Sequence, residues 1–145
     1  MTHRPAHPTP RWQPINKLSV IAYAIEGMLE SAEEQYPTLE EGRPRPHMLD
    51  DYTVGRVVEV YTEQRDDLWL YEEQLRRWSA QTLTVGQRRE VERLTGQLGR
   101  LRAVIDKILV LMDELKGGTI EQMMAKSDLE VGLEMLTRLA RERER

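Results

Sequence analysis

Acidic side chains are concentrated in residues 61–78, YTEQRDDLWLYEEQLRRW, and their spacing suggests a metal-binding carboxylate site. Glu63 and Asp66 form an E-x-x-D pair, and Glu30 with Glu33 forms an E-x-x-E pair earlier in the chain. Carboxylates spaced in this way on adjacent helices can hold Mg²⁺ for pyrophosphate chemistry, or two metals in a carboxylate bundle. One hypothesis is therefore a Mg²⁺-dependent helical nucleotide pyrophosphohydrolase that uses these four residues.

The acidic residues of the second predicted helix also have a simpler interpretation, which is a solvated helix face. They lie opposite the apolar side of this helix, whereas carboxylates that hold catalytic metals in bundles project inward. Di-iron bundles also need Glu-x-x-His motifs, and none of the three histidines falls on a predicted helix. Arginines follow several of these acids at the i,i+4 spacing of surface ion pairs. We therefore predict no catalytic residue, no metal and no cofactor. The acidic stripe comprises Glu59, Glu63, Asp66 and Glu73.

Other catalytic motifs are absent from the sequence. The chain has no cysteine, which excludes disulfides, cysteine-ligated zinc and thiol catalysis. There is no glycine-rich phosphate-binding loop, and no histidine forms a recognisable pattern with a serine nucleophile and an acid. The motifs indicate no resemblance to a known family, and we expect a protein that is not an enzyme.

A group of arginines gives a second function hypothesis, contact with nucleic acid. They converge on the predicted turn between the second and third helices, beside Trp78, where they could contact phosphates or a base. The basic N-terminal segment offers a second contact of this kind. However, glutamates are interleaved with the arginines, so their more ordinary role is to pair with these acids. The residues concerned are Arg76, Arg77, Arg88, Arg89 and Arg93.

Composition and periodicity indicate an all-α protein. A chain of 145 residues favours one domain, and its formal net charge of −4 argues against a generally basic nucleic-acid binder. Apolar residues recur every three or four positions, and no segment alternates as a half-buried strand does. No apolar run is long enough to span a bilayer, and the N-terminus lacks a secretory signal. Together with the absence of cysteine, these features lead us to expect a cytoplasmic protein.

The N-terminal third is predicted to contain an arm, a helix and a loop. Residues 1–14 carry four prolines and are expected to form an extended arm with polyproline character. Such an arm is usually a disordered tail, and the alternative is a strap that Trp12 fastens to a partner or to a second subunit. The first helix is expected to begin at Asn16 and to end before Pro37. Its apolar face comprises Leu18, Ala22, Ile25, Leu29 and Ala32, and residues 37–48 form a loop.

Two long helices, at about 50–79 and 84–116, are predicted to form an antiparallel αα-hairpin. Asp50 is the expected N-cap of the first, and Thr84 with Gln87 forms a capping box on the second. Aligning Tyr71 with Val91 at constant offset centres the turn on Gln81. The seams, apolar except at Gln64, are Val54, Val57, Tyr61, Gln64, Leu68, Tyr71, Leu75 and Trp78 on one helix, and Val91, Leu94, Leu98, Leu101, Ile105, Ile108, Met112 and Leu115 on the other.

The C-terminal part is predicted to cover the base of this hairpin. Gly117 and Gly118 supply a C-cap, a short segment follows, and Ser127 with Glu130 opens a last helix. Residues 108–112, ILVLM, are apolar all round and need cover, which the first and last helices can provide. The domain prediction is an arm at 1–14, a helical domain at 15–140 and a charged tail at 141–145. The covering face of the last helix comprises Leu129, Leu133, Leu136 and Ala140.

No other helix is predicted to pack against the tip of the hairpin, which suggests that the tip forms an interface with another molecule. Trp69 and Leu70 point away from the seam, and small residues on the outer side of the third helix permit close approach of another helix. We therefore predict a non-enzymatic interaction or assembly protein that forms a homo-oligomer, with a dimer favoured, and that has no membrane partner. A foreign protein partner is the alternative occupant. The predicted interface comprises Trp69, Leu70, Trp78, Gly96, Gly99 and Ala103.

Overall fold

The computed structural model describes residues 9–143, except the side chain of Ser127, and shows an all-α protein. Predictions for residues 1–8, including their extended conformation, and for residues 144 and 145 lie outside the described residues. No strand occurs between residues 9 and 143. The helices are α1 (Leu18–Glu40), α2 (Asp51–Ser79), α3 (Val85–Leu115) and α4 (Ile120–Arg143), with 3-10 turns at Ile15–Lys17, Pro46–Met48 and Lys116–Gly118.

The chain divides into two compact units, and the boundaries fall within the long helices. Unit 1 contains the residues up to Gln35 together with Glu63–Asp106. Unit 2 contains Tyr36–Thr62 and the residues from Lys107 onward. The apolar periodicity correctly identified much of the buried side-chain set in both units. All eight predicted seam residues of α3 and all five predicted face residues of α1 are buried.

In unit 1, α1 lies beside the N-terminal half of α3. Arg93 of α3 forms an ion pair with Glu26, and Arg100 pairs with Glu33 at 2.7 Å between Nη2 and Oε1. The residue numbers of both pairs increase together, so the two helices run in the same direction. The prediction that residues 65–98 have only each other for cover is therefore wrong, because α1 covers this part of α3.

The predicted alignment of α2 with α3 is also wrong within unit 1. A constant offset from Tyr71 and Val91 would place Glu72 beside Glu90. Instead, the Oε1 atom of Glu72 accepts a hydrogen bond from Nη2 of Arg102 at 2.5 Å. Leu75 and Leu98 likewise line one cleft. These contacts join residues of α2 to residues further along α3 than the alignment predicted.

In unit 2, the N-terminal ends of α2 and α4 are held together by reciprocal hydrogen bonds. The hydroxyl of Thr119 donates to Oδ1 of Asp51 at 2.6 Å, and the Asp51 amide donates to Oε2 of Glu121 at 2.9 Å. The amide of Ile120 donates to the carbonyl of Leu49 at 2.8 Å. Thr119 is fully buried, so the first turn of α4 is firmly anchored.

Beyond this first turn, α4 leaves its large apolar side chains exposed. Its predicted covering residues Leu129, Leu133 and Leu136 are 64 %, 56 % and 64 % exposed, and Ala140 is exposed as well. Val110, within the segment predicted to be buried on all sides, is also exposed. The prediction that the C-terminal helix covers the hairpin base is wrong for these residues.

Several helix boundaries differ from the prediction. Pro37 lies inside α1, which continues to Glu40, because a proline one turn from a helix end disrupts few hydrogen bonds. Asn16 is not an N-cap but lies within a 3-10 turn that follows Pro14. The chain is helical without a break from Ile120 to Arg143, so no new helix begins at residue 127 and the predicted tail is helical through Arg143.

Two predicted caps are confirmed, and one of them gives a pH-dependent prediction. The Thr84 amide and the Gln87 amide each donate to the other residue's side-chain oxygen. Oδ1 of Asp50 accepts a hydrogen bond from the Thr53 amide at 2.6 Å. The hydrogen bonds from Thr53 lower the pKa of the Asp50 carboxyl below its ordinary value of 3.8.

Asp50→Asn is expected to lower the melting temperature at neutral pH but not at strongly acidic pH. Asparagine keeps an oxygen for the Thr53 amide but loses the negative charge at the helix N-terminus. Because the folded-state pKa of Asp50 is lowered, its contribution is complete above pH 3.8 and disappears as the pH falls through that lowered pKa. Melting curves of both proteins at several pH values measure this difference. A difference that stays constant with pH would contradict it.

Candidate interaction surfaces

The three predicted interface residues of α2 have different environments in unit 1. Trp78 is fully buried, which removes it from any surface that a partner could reach, and its place in the predicted interface is therefore wrong. Trp69 is 44 % exposed, and Leu70 is partly exposed at the edge of a cleft. Only Trp69 and Leu70 thus remain available on this part of α2.

The N-terminal arm of the same chain packs against α2 at this position. The ring of Trp12 meets the ring of Trp69 edge-on, with the centroids 6.4 Å apart. The guanidinium of Arg77 lies over the Trp12 ring, 4.4 Å from its centre. Trp12 therefore fastens the described part of the arm to its own chain, and Trp69 already has an aromatic neighbour.

Buried side chains of α2 also bind the backbone of the arm. The carbonyl of Gln13 accepts hydrogen bonds from Nε1 of Trp78 at 2.9 Å and from Nε2 of Gln74 at 3.3 Å. The Gln13 amide donates to Oε1 of Gln74 at 2.6 Å. Since Gln74 and Trp78 are both buried, removing the arm would leave their polar groups without these partners. The arm is thus an integral part of unit 1, a role that the proline-rich sequence did not reveal.

The small residues of α3 lie on an open surface, as their positions on the outer side of the helix suggested. Gly96 and Gly99 are exposed, and a side chain added at either would meet no atom within 4 Å. Ala103 is exposed as well. Gly99 borders a shallow cleft of about 290 Å³ with Thr95. The surface is open, but it carries few large apolar groups.

The arginines predicted to form a nucleic-acid site mostly have partners within unit 1. Arg76 and Arg77 both pair with Glu73, and the hydrogen bonds from Arg76 lower the pKa of the Glu73 carboxyl. Arg93 pairs with Glu90 and Glu26, whose hydrogen bonds raise the pKa of its guanidinium. These three arginines are therefore engaged by carboxylates, which weakens their attraction for phosphates.

Arg88 is the member of this group that binds backbone carbonyls. Its guanidinium donates to the carbonyls of Ser79 and Gln81 at 3.4 and 3.3 Å. These contacts fix the connection between α2 and α3. They give Arg88 a structural role at the predicted tip.

The carboxylates of the metal hypothesis do not form a metal centre in the described part of the chain. No group of three or more histidine, aspartate or glutamate side chains is arranged to hold a metal ion between residues 9 and 143. Glu33 is instead paired with Arg100. Glu30 and Glu33 do border one shallow surface depression, but Glu63 and Asp66 are not among its lining residues.

The helix α4 exposes many large apolar side chains. Nine of the eighteen large apolar side chains left exposed by the described residues belong to this one helix. No α4 residue whose side chain is described is buried. The sequence identified part of this face but assigned it to the core. The nine residues are Ile120, Met123, Met124, Leu129, Val131, Leu133, Met135, Leu136 and Leu139.

Polar residues occupy the other side of α4 between residues 129 and 140. At 100° per residue, the apolar side chains from Leu129 to Ala140 span an arc of roughly 200°. Glu130, Glu134 and Arg138 fall in the remaining arc. An isolated helix with so broad an exposed apolar face is unusual in a protein monomer.

No family model, curated protein or solved structure matches the chain. Among residues 9–143, no helix combines the length and the apolar character needed to cross a bilayer. A function can therefore be inferred only from the surfaces described above, chiefly from that of α4.

Proposed function

We propose that this protein is a non-enzymatic helical assembly protein that associates with a second copy of itself through the apolar face of α4. The exposure of this face is the observation that supports the proposal. Burying six leucine, valine and methionine side chains of residues 129–139, each more than half exposed, would remove a large apolar area from water. We extend the proposal to the cytoplasm, because a chain without cysteine suits a reducing compartment.

A second copy suits the composition of α4 better than a lipid surface does. Helices that bind anionic membranes are rich in lysine and arginine on the polar face. By contrast, α4 carries five acidic and four basic residues between Ile120 and Arg143. A nearly neutral helix is compatible with contact between two copies, because the copies would not repel each other through a large net charge.

The surfaces of unit 1 have a secondary place in this proposal. Trp69, Leu70 and the open surface at Gly96, Gly99 and Ala103 would serve as additional contacts between copies or with a foreign protein. Their apolar area is smaller than that of α4, since Trp69 is the large apolar side chain exposed among them. We therefore assign the main contact to α4.

Leu136→Glu is expected to weaken self-association by at least about 100-fold, because an unpaired charge would be buried in the contact. The matched control is Thr137→Glu, which adds the same charge at the next residue, on the polar side of α4. Both positions are exposed, so neither variant should change the helix content. Light scattering coupled to size exclusion, over a range of protein concentrations, gives the mass of each protein in solution.

A wild-type protein that stays monomeric at high concentration would contradict the proposal. So would a Leu136→Glu variant with the same association as the control. Circular dichroism of all three proteins verifies that the fold is retained.

A further inference from the structure

The part of α2 that holds the N-terminal arm, here called the arm site, comprises Trp69, Gln74, Arg77 and Trp78. Gln74 uses both ends of its side-chain amide on Gln13 of the arm, accepting from the backbone amide at 2.6 Å and donating to the carbonyl at 3.3 Å. Nε1 of Trp78 donates to the same carbonyl at 2.9 Å. These hydrogen bonds do not involve the Gln13 side chain, so any extended segment that presents an amide and a carbonyl in this way can form them.

The bound arm has the conformation of a proline-rich ligand. Pro14 directly follows the recognised carbonyl, and its φ of −69° and ψ of 159° are close to polyproline II. A proline at this position has no backbone N–H that would need a partner of its own. Aromatic-lined grooves bind proline-rich segments in this conformation, because such segments lose little chain entropy on binding.

The side chain of Trp12 adds selectivity to these backbone contacts. Its ring meets the Trp69 ring edge-on at 6.4 Å between centroids, and the Arg77 guanidinium lies 4.4 Å from its centre on the ring face. The arm site therefore combines a position for tryptophan with hydrogen bonds to the next residue and a following proline. A ligand of the form Trp-x-Pro satisfies all three features.

The arm occupies only part of the space beside α2. A cleft of about 360 Å³ remains between residues 10–13 of the arm and the side chains of Ile21, Leu70 and Tyr71. These three side chains are partly exposed, and no residue from 9 to 14 is buried. A segment with larger side chains would fill this cleft and gain apolar contacts that the arm does not make.

From the contacts of the bound arm we infer that the arm site recognises extended, proline-containing segments with a Trp-x-Pro sequence, and that such a segment of a partner protein binds there by displacing the arm. The arm is then an internal competitor, whose covalent attachment gives it an effective concentration in the millimolar range. An empty site would leave the buried polar groups of Gln74 and Trp78 unpaired, which favours one ligand or the other. No residue of α4 takes part, so the inference does not depend on the proposed self-association.

A fluorescently labelled peptide with the sequence of residues 9–14, TPRWQP, is the probe for this site. The receptor is the full chain with Trp12→Ala and Gln13→Pro, which removes the ring contacts and the amide that donates to Gln74. Fluorescence anisotropy should show saturable binding at least about tenfold tighter than to the wild type, whose own arm competes. The control peptide TPRAQP lacks the tryptophan and should bind about tenfold more weakly.

Two further substitutions in this receptor locate the bound peptide. Trp69→Ala removes the aromatic partner of the peptide's tryptophan and should weaken binding by about fivefold. Tyr23→Ala is the matched control, because Tyr23 is an aromatic residue of α1 that is 82 % exposed and does not line the arm site or its cleft. It should leave the affinity unchanged.

Equal affinities of the wild type and the receptor would place the peptide elsewhere and overturn the inference. So would a receptor that keeps its helix content in circular dichroism but binds no peptide up to about 1 mM, the scale on which the attached arm competes. Trp12→Ala alone is the milder receptor, with the same two outcomes, if the double variant loses helix content. A receptor with a lower solution mass than the wild type would assign the site to the arm of a second copy, which also overturns the inference.

Discussion

Replacing Trp78 by alanine is expected to lower the free energy of unfolding by about 3–5 kcal/mol, the usual range for removing a large buried aromatic side chain. Trp78 is fully buried in unit 1, and its Nε1 atom donates to the Gln13 carbonyl at 2.9 Å. The substitution would therefore leave a cavity and also release the N-terminal arm from one of its anchors. Urea titration followed by circular dichroism at 222 nm measures the change without relying on tryptophan fluorescence.

Trp69→Ala is the matched control for this experiment. Trp69 lies on the same helix but is 44 % exposed, and its ring contacts Trp12 edge-on. Aromatic pairs of this kind contribute about 0.5–1.5 kcal/mol beyond their buried area, so a clearly smaller loss is expected. If Trp78→Ala kept its stability but reduced the solution mass, the original assignment of Trp78 to an interface would be right and the buried position wrong.

Trp78 illustrates how far periodicity predicts the structure of this chain. The strict spacing of three and four along α3 identified a buried face in which all eight residues are inaccessible. The same spacing placed Trp78 on the seam of α2, where it is indeed buried. Its assignment to an interface came only from its position near the predicted tip. A residue on an apolar seam should have been assigned to the core first.

The alignment of α2 with α3 could not be obtained from the pattern. Apolar residues recur every 3.5 positions on both helices, so several alignments that differ by multiples of this spacing bury the same side chains. The prediction selected one of them by centring the turn on Gln81. Contacts specific to the true alignment, such as Glu72 with Arg102, involve charged residues that the apolar pattern does not describe. The choice among alignments was therefore not determined by the seam.

The environment of α4 shows a second limit of sequence reasoning. Periodicity indicated that Leu129, Leu133 and Leu136 share a face that needs cover. Periodicity does not show whether this face packs against the same chain or against another molecule. The hydrogen bonds that direct the start of α4, through Thr119, Asp51 and Glu121, join residues about 70 positions apart. Such contacts depend on the folded chain and leave no periodic signal.

The packing of the N-terminal arm on its own chain was similarly hard to predict, because its hydrogen bonds to Gln74 and Trp78 are made by backbone atoms of Gln13. Gln74 recognises the amide and the carbonyl of Gln13, neither of which depends on the identity of the Gln13 side chain. Prolines in this segment suggested an extended conformation, which Pro14 adopts, but did not show what the segment binds. The alternative of a fastened arm depended on Trp12, which packs against Trp69 and Arg77 of its own chain and not on a second subunit.

Gly118→Ala is expected to lower the free energy of unfolding by about 1–3 kcal/mol, the usual range for overpacking a close contact. A Cβ atom at Gly118 would lie 2.8 Å from Cγ and 2.9 Å from Cβ of Pro46. The proline ring is rigid, so its backbone or that of the Lys116–Gly118 turn must move. This movement would also disturb the hydrogen bond between the Ile120 amide and the Leu49 carbonyl, which helps to anchor α4.

Gly117→Ala tests whether this loss arises from the close contact and not from the loss of a flexible glycine. A Cβ atom at Gly117 would have no neighbour within 4 Å, and no glycine of the described chain has a positive φ angle. Alanine at residue 117 should therefore be neutral or stabilise the protein by up to about 1 kcal/mol, because it restricts the unfolded chain. Urea titration of both variants measures the two effects. Equal destabilisation at both positions would show that the turn itself requires glycine. The contact with Pro46 would then not be the cause of the lower free energy of unfolding.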